Sequence, residues 1–208
     1  ATFSEHTNAL AILTGRLDAQ RSRRIAGRLV SPPESWTRCQ LYFTHYLFEA
    51  AAQTHTPELL FSRLQTWYDL QAMGFRSMPE TFPRPGADTR SDCHAWSSHP
   101  MYHVAASIVG IRPAAMGFAK VIIRPMMGEL RRASATVAHP RGTVHATLAR
   151  DDAGRLAARI DLPPGVTGNF EWNGRLHQLL PGPTDLRIEE PSPTPAAASG
   201  TSPAVGSN

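Results

Sequence analysis

The feature that most constrains this chain is a change of hydrophobic period near residue 115. Before it, apolar residues recur every three or four positions, as on one face of a helix; after it they alternate, as on one face of a strand. "SEHTNALAILTGRL" places Ala9, Ile12, Leu13 and Leu17 near helical spacing, with Ser4 as the cap. "SWTRCQLYFTHYLFEAAAQ" predicts a helix that begins at Trp36 and carries Cys39, Tyr42, Phe43, Tyr46, Leu47 and Ala50 on a wide apolar face. In "TPELLFSRLQTWYDLQAMG", Thr56 is a cap, Pro57 opens the helix and Gly74 ends it. "SSHPMYHVAASIVG" opens with Ser and Pro and stops at Gly110. Helices joined by loops of varied length imply helical hairpins packed side by side.

Beyond the change, "KVIIRP" reads as a short strand, and "TVHATLAR" alternates Val144, Ala146 and Leu148 against polar and small residues. "RLAARIDL" alternates Leu156, Ala158 and Ile160, and "DDAG" between these two runs is a hairpin signal. Asn173-Gly174 in "NFEWNGRLHQL" is a two-residue turn able to take positive φ, and "TDLRIE" closes the series. About seven short strands with frequent turns predict an antiparallel β-sandwich. From Pro191 the composition cannot bury a core and predicts a disordered tail. The expected organisation is helical over 1–113, a sandwich over 114–190 and a tail over 191–208. The helices carry more apolar face than they can bury on one another, and no Met opens the chain, so the sequence is expected to be the end of something larger.

Charge excludes some functions. The formal net charge is +4, and Lys120 is the only lysine among 21 basic residues. The arginines are dispersed, with "RSRR" at 21–24 the densest patch and readable as a solvated helix face. No basic stripe interleaved with aromatics points to nucleic acid. No apolar run is long enough to span a bilayer, and the first residues lack the pattern of a secretory leader. Cys39 and Cys93 form no metal-spaced motif and are expected to be free thiols.

The stretch "MPETFPRPGADTRSDCHAWSSHPMYH", residues 78–103, gathers Glu80, Asp88, Asp92, His94, His99, His103, Cys93 and Trp96 into one irregular connection between helices. A solvated linker does not need that set; a functional loop does. A lone loop glutamate is most often solvated, and a first-turn histidine such as His99 is often a cap or a core residue. Trp96 can stack on a sugar face or anchor the loop. Trp36 and Trp67 lie on helix faces and suit a core, with Trp36 also placed to rim a pocket. His94 suits a loop-holding role, and Asp88 and Asp92 suit loop ordering. No metal or other cofactor is expected, because Asp88, Asp92 and His94 lack a ligand spacing.

The order of these motifs resembles the C-terminal end of the bacterial α-L-rhamnosidases of glycoside hydrolase family 78. The resemblance rests on Glu80 in "PETF", then "CHAWSSHP", then "GIRPAAMGFAKVIIRP", then strands, and it covers residues 1 to about 190. It implies the last hairpins of an (α/α)6 barrel followed by an antiparallel β-sandwich. It implies inverting hydrolysis of terminal α-L-rhamnose from a glycoside or polysaccharide, with one carboxylic acid as general acid and a second carboxylate as general base. Glu80 matches the base, with Arg84 or His99 as neighbours for its charge. His99 matches a sugar contact, and Trp96 and Trp36 are the aromatic candidates for the sugar site. The family's acid lies in earlier hairpins that this chain lacks, so the chain alone is expected to be inactive. Two other readings stay open. One is a non-catalytic carbohydrate-binding or structural fragment. The other is a different (α/α)6 glycosidase or a lyase using Tyr102 and His103. Compartment, whether bacterial cytoplasm, periplasm or secretion, is not encoded in these motifs.

Overall fold

A computed structural model describes residues 3–189; the tail expected over 191–208 lies outside the described residues. Four longer helices come first: α1 Glu5–Leu13, α2 Ala19–Val30, α3 Thr44–Thr54 and α4 Pro57–Ala72. Ser4 caps α1 by accepting from the Thr7 N–H, and Asp18 caps α2 by accepting from the Arg21 N–H. Gly74, at φ +91°, follows the end of α4 in the left-handed conformation that glycine adopts without a Cβ clash. A 3₁₀ turn, Ala95–Ser98, leads into the short α5, Pro100–His103, which widens into a π-type turn over Val104–Val109.

Over α2 the arginines of "AQRSRRIAGRLV" lie outward as a solvated helix face, with Ala26 and Leu29 buried beneath them. A departure from expectation concerns α3. The helix expected from Trp36 begins at Thr44 instead. Residues 37–40 stay outside the helix, because Thr37 bridges to Ser4 and the Cys39 N–H donates to the Glu5 carboxylate at 2.7 Å.

Glu5 is 1% exposed and explains how the helices assemble. Its carboxylate accepts from Arg38 at 2.7 Å, from Arg63 on α4 at 2.5 Å, and from the Cys39 N–H. Arg63 also donates to the carbonyl of Leu29 at the end of α2, at 2.9 Å. One buried charge is thereby matched by charge-assisted donors from separate segments, the condition under which a buried carboxylate is tolerated. Around it Ile12, Leu29, Leu47, Phe48, Leu59 and Leu60 form the helical core.

Among the described residues, eight strands follow in two sheets. β1 (Ile111–Pro113), β2 (Lys120–Ile123), β6 (Thr167–Trp172) and β7 (Arg175–Leu179) form one sheet in the order β1-β2-β6-β7. β3 (Arg132–His139), β4 (Gly142–Arg150), β5 (Leu156–Leu162) and β8 (Gly182–Ile188) form the other, in the order β3-β4-β5-β8. Leu156, Ala158, Ile160 and Leu162 all point inward along β5, meeting Val121, Ile123 and Phe170 among the buried residues of this core. The Asn173-Gly174 turn has φ of +49° and +74°, as a right-twisted two-residue hairpin requires.

The purely antiparallel sandwich needs correction. β2 and β6 are parallel, in register Lys120↔Thr167 to Ile123↔Phe170. The chain leaves β2, builds three strands of the facing sheet, and returns beside β2 in the same direction, which a local hairpin cannot do. β1 and β3 were also not anticipated. β3 buries small residues such as Ala133 and Ala135 only partly, and β1 is three residues long. The sheet therefore begins at Ile111, inside the segment expected to be helical up to 113.

Gly110 makes the turn between the two kinds of structure. Its φ is +85°, its carbonyl accepts from the Arg124 N–H at 3.0 Å, and a Cβ there would lie 2.1 Å from the Arg124 carbonyl oxygen. Both the conformation and the space demand glycine. Gly110→Ala should destabilise the chain by at least ~2 kcal/mol, lowering Tm by on the order of 4–8 °C; an unchanged melting curve would refute this account of the turn.

The two thiols are free and differently placed, Cys39 half-buried and Cys93 exposed. Burial, reinforced by the adjacent Glu5 charge, pushes the Cys39 thiol well above the usual cysteine range. At pH 8, a thiol reagent should modify Cys93 rapidly and Cys39 only slowly. Equal rates, read by peptide mass mapping, would contradict the Glu5 environment. The Glu5→Gln variant should narrow the gap.

Candidate functional site

The connection from Gly74 to His94 is folded back on itself as two paired extended segments. The His94 N–H donates to the Met78 carbonyl at 2.8 Å, and the Glu80 N–H donates to the Ser91 carbonyl at 2.7 Å. Asp88 accepts from the Arg90 N–H at 2.9 Å, Thr89 bonds to the Asp92 carboxylate, and Ser77 bonds to the Asp92 carbonyl. Asp88 and Asp92 thus order the loop. Arg90 sits at φ +66° within it.

Glu80 emerges from this paired segment with its side chain 21% exposed. Its ionic partner is Arg90, at 3.1 Å, and not Arg84 or His99, the neighbours expected from sequence. Arg84 instead lines a cavity with Glu5, Cys39, Arg63, Asp69 and Phe82. Because Arg90 is largely exposed, it is a screened and displaceable partner.

Trp96 is 52% exposed and packs against Tyr42 at a centroid separation of 5.5 Å, tilted by 53°. Tyr42 also meets His94, at 6.1 Å. Trp96 therefore keeps much of an aromatic face open at the end of the loop, while its other contacts hold it in place. Trp36 does not reach this region. It is buried in the helical core and lies against Phe3, so its assignment to a sugar site gives way to a core role.

His99 also turns inward. It is 9% exposed, and its Nε2 bonds to the Leu41 carbonyl at 3.0 Å. A carbonyl only accepts, so Nε2 carries the proton and Nδ1 carries the lone pair. That Nδ1 is buried without a hydrogen-bond partner. The ring stands edge-on to Trp67 at 5.2 Å and to Phe48 at 5.3 Å, and Trp67 donates its Nε1–H to the Ser97 carbonyl at 2.8 Å. His99 and Glu80 share no partner, so the expectation that both line one sugar-facing surface is replaced by an inward-packed histidine and an outward carboxylate.

Sequence reasoning missed what His99 joins. His103, one turn further on, and His45 on α3 bring ring nitrogens to within 4.8 Å of one another and of His99. His103 Nε2 and His45 Nδ1 are 3.0 Å apart, and His103 Nδ1 is 2.9 Å from Ser107 Oγ. Burial lowers the pKa of His99 to about 4, and burial with the nearby His45, His99 and Arg112 lowers that of His103 as well, so both are neutral at pH 7. The His-x₃-His spacing of residues 99 and 103 was the available signal; His45, 54 positions earlier, could be joined to it only by the packing of α3 on α5.

Behind the cluster lies Arg112 of β1. It donates to both oxygens of Glu49, at 2.7 and 3.1 Å, to Ser107 Oγ at 2.9 Å, and to the Ala106 carbonyl at 2.6 Å. Glu49 is thus fully engaged, as is Glu5. Glu80, with one exposed cationic partner, keeps acceptor capacity free.

Residues 110–177 match the family described as the bacterial alpha-L-rhamnosidase C-terminal domain. Among solved structures, the chain resembles the family 78 rhamnosidase of Bacillus sp. GL1 over 82% of its length, with 27% identity and a TM-score of 0.73. It resembles the α-L-rhamnosidase of Aspergillus terreus over 89%, with 17% identity and a TM-score of 0.76. It resembles that of Streptomyces avermitilis, solved with L-rhamnose, over 91%, with 19% identity and a TM-score of 0.70. The last two likenesses carry the fold alone. No curated protein matches the chain. The chain spans 19%, 24% and 23% of the lengths of those three proteins, respectively. By its motifs, its fold and these matches, the chain is similar to the C-terminal part of the family 78 α-L-rhamnosidases, with residues 110–177 matching their C-terminal domain.

Proposed function

We propose that the chain supplies the general base to an inverting glycoside hydrolase that removes terminal α-L-rhamnose from a glycoside or polysaccharide. The helical segments up to Val109 are hairpins of its (α/α)6 barrel, and the strands from Ile111 form its β-sandwich. Glu80 is the base. The observation that carries this role is the state of its carboxylate: half-buried, fixed by the backbone pairing of Glu80 with Ser91, and bound only to the exposed Arg90. A general base needs an ionised carboxylate with a lone pair left for water. In an inverting enzyme that water attacks the face opposite the leaving group, which an acid on another hairpin protonates.

Trp96 presents its open face as a platform for the apolar side of a sugar ring, supported by Tyr42. His99 contributes from beneath, holding Leu41 and Trp67 in place rather than touching sugar. Arg90 leaves Glu80 or swings with it as substrate and water enter.

The test is made on a protein that carries the remaining hairpins, with an aryl α-L-rhamnoside as substrate. Glu80→Gln keeps the shape but cannot take a proton, and should lower kcat by about 10²–10⁴-fold with little change in KM. NMR of the first-formed rhamnose should show the inverted anomer. Near-normal kcat in Glu80→Gln would remove Glu80 from the role, and a retained anomer would remove the mechanism. The 208-residue chain alone should show no turnover above background, since base without acid lacks half of the proton transfers.

A further inference from the structure

We propose that His45, His99 and His103 form a binding site for one divalent transition metal ion of the zinc class, held by three imidazole nitrogens with a further coordination position open. The proposal is independent of the rhamnosidase reading, because it rests on how α3 packs against the 99–112 segment and not on Glu80 or a sugar.

Three observations converge on it. First, one ring nitrogen of each histidine lies within 4.8 Å of the other two, and His45 Nδ1 and His103 Nε2 are already 3.0 Å apart. Tetrahedral Zn–N bonds of about 2.0–2.1 Å place neighbouring ligand nitrogens about 3.3 Å apart. The His45–His103 pair needs to open by only tenths of an ångström, and the His99 nitrogen, within 4.8 Å of the others, needs to close on them. Second, the His99 tautomer is fixed from outside. Its Nε2–H is committed to Leu41, leaving the Nδ1 lone pair buried with no donor. An imidazole with one nitrogen donating to a backbone carbonyl and the other buried and unpartnered has the arrangement of a metal ligand supported by its surroundings. Third, His103 has equivalent support. With its proton on Nδ1 it donates to Ser107 Oγ, which is itself fixed by Arg112, and this frees Nε2 for a metal.

The donor set defines the ion. Three neutral imidazoles without a carboxylate suit zinc, copper, nickel or cobalt, and do not suit magnesium or calcium. The site also has an entrance. His99 and His103 are buried, but His45 is half-buried and stands 5.9 Å from the exposed ring of Tyr102. The open position therefore faces the His45 side, where water or another small donor completes the coordination.

The 208-residue chain, stripped with a chelator and dialysed, is titrated with zinc chloride by calorimetry and with cobalt chloride by visible absorption. One equivalent should bind, and cobalt should give the intense bands of a four-coordinate ion. His45→Asn should weaken zinc binding by at least ~100-fold, and Ser107→Ala by about 10-fold, the range expected when a supporting contact to a ligand is lost. Variants of His145 and His177 on the sandwich should bind as the parent does. Far-UV circular dichroism establishes that His45→Asn is folded. Should that variant not fold, zinc-edge X-ray absorption of the parent decides, with three nitrogen scatterers at about 2.0 Å expected. Absence of saturable zinc binding overturns the proposal. So does unchanged affinity in folded His45→Asn, or a sulfur scatterer that assigns the metal to Cys39 or Cys93.

Discussion

The helices and the sheets of this chain are joined through one guanidinium. Arg112 is the middle residue of the three-residue strand β1, yet it donates to Glu49 of α3 through two nitrogens, to the Ala106 carbonyl and to Ser107 Oγ. Only the planar fork of arginine can reach two carboxylate oxygens and two further acceptors at once; a lysine in its place would leave most of them unsatisfied. Because Ser107 then holds His103, and His103 meets His45, the first strand of the sheet sets the ring positions of a cluster that lies among the helices. The guanidinium also lies 6.0 Å from the centre of the Tyr102 ring, at the mouth of that cluster.

The same seam is built into the apolar packing. Ile108 and Met126 belong to the helical core, while their neighbours Val109 and Met127 belong to the core between the sheets. The Met126 N–H donates to the Ile108 carbonyl at 3.0 Å, so the two segments that divide their side chains between the cores are also paired through their backbones. Gly110 must follow at once, because the chain has to turn past Arg124 with no room for a Cβ. A helical part and a sheet part that share residues in this way cannot shift relative to one another without opening both cores, which suits a scaffold that must hold a loop in place.

Much of this organisation could be read from periodicity, and the gaps have physical causes. Long helices with good caps, such as α1 and α4, and strands of strict alternation, such as β5, follow from local preference alone. The start of α3 could not, because Glu5, more than thirty residues away, binds the Cys39 N–H and keeps it out of the helix. The parallel pairing of β2 with β6 is a property of the path between them and leaves no local trace. For the candidate site, Glu80 and Trp96, which the motif singles out, lie on the outer side of the loop. His99 and Trp36 turn inward, since a side chain's direction into the core depends on which carbonyl or ring it meets there, here Leu41 and Phe3.

The carboxylates can be ranked by what their surroundings allow them to do. Glu5 is buried and accepts from three donors, so protonating it would leave Arg38 and Arg63 without their anion. Glu49 is clamped by both arms of Arg112, and its charge is bound into the joint between helices and sheet. Glu171 pairs with Arg124 at the sheet, away from the loop. Glu80 differs in kind: its position is fixed by backbone bonds, while its charge faces an exposed cation. Geometry that is rigid and electrostatics that are exchangeable are what a proton acceptor needs, since it must hold a water in one direction and then change its own charge without unfolding its setting. The structural carboxylates have the opposite combination, and this contrast is the physical ground for the role proposed for Glu80.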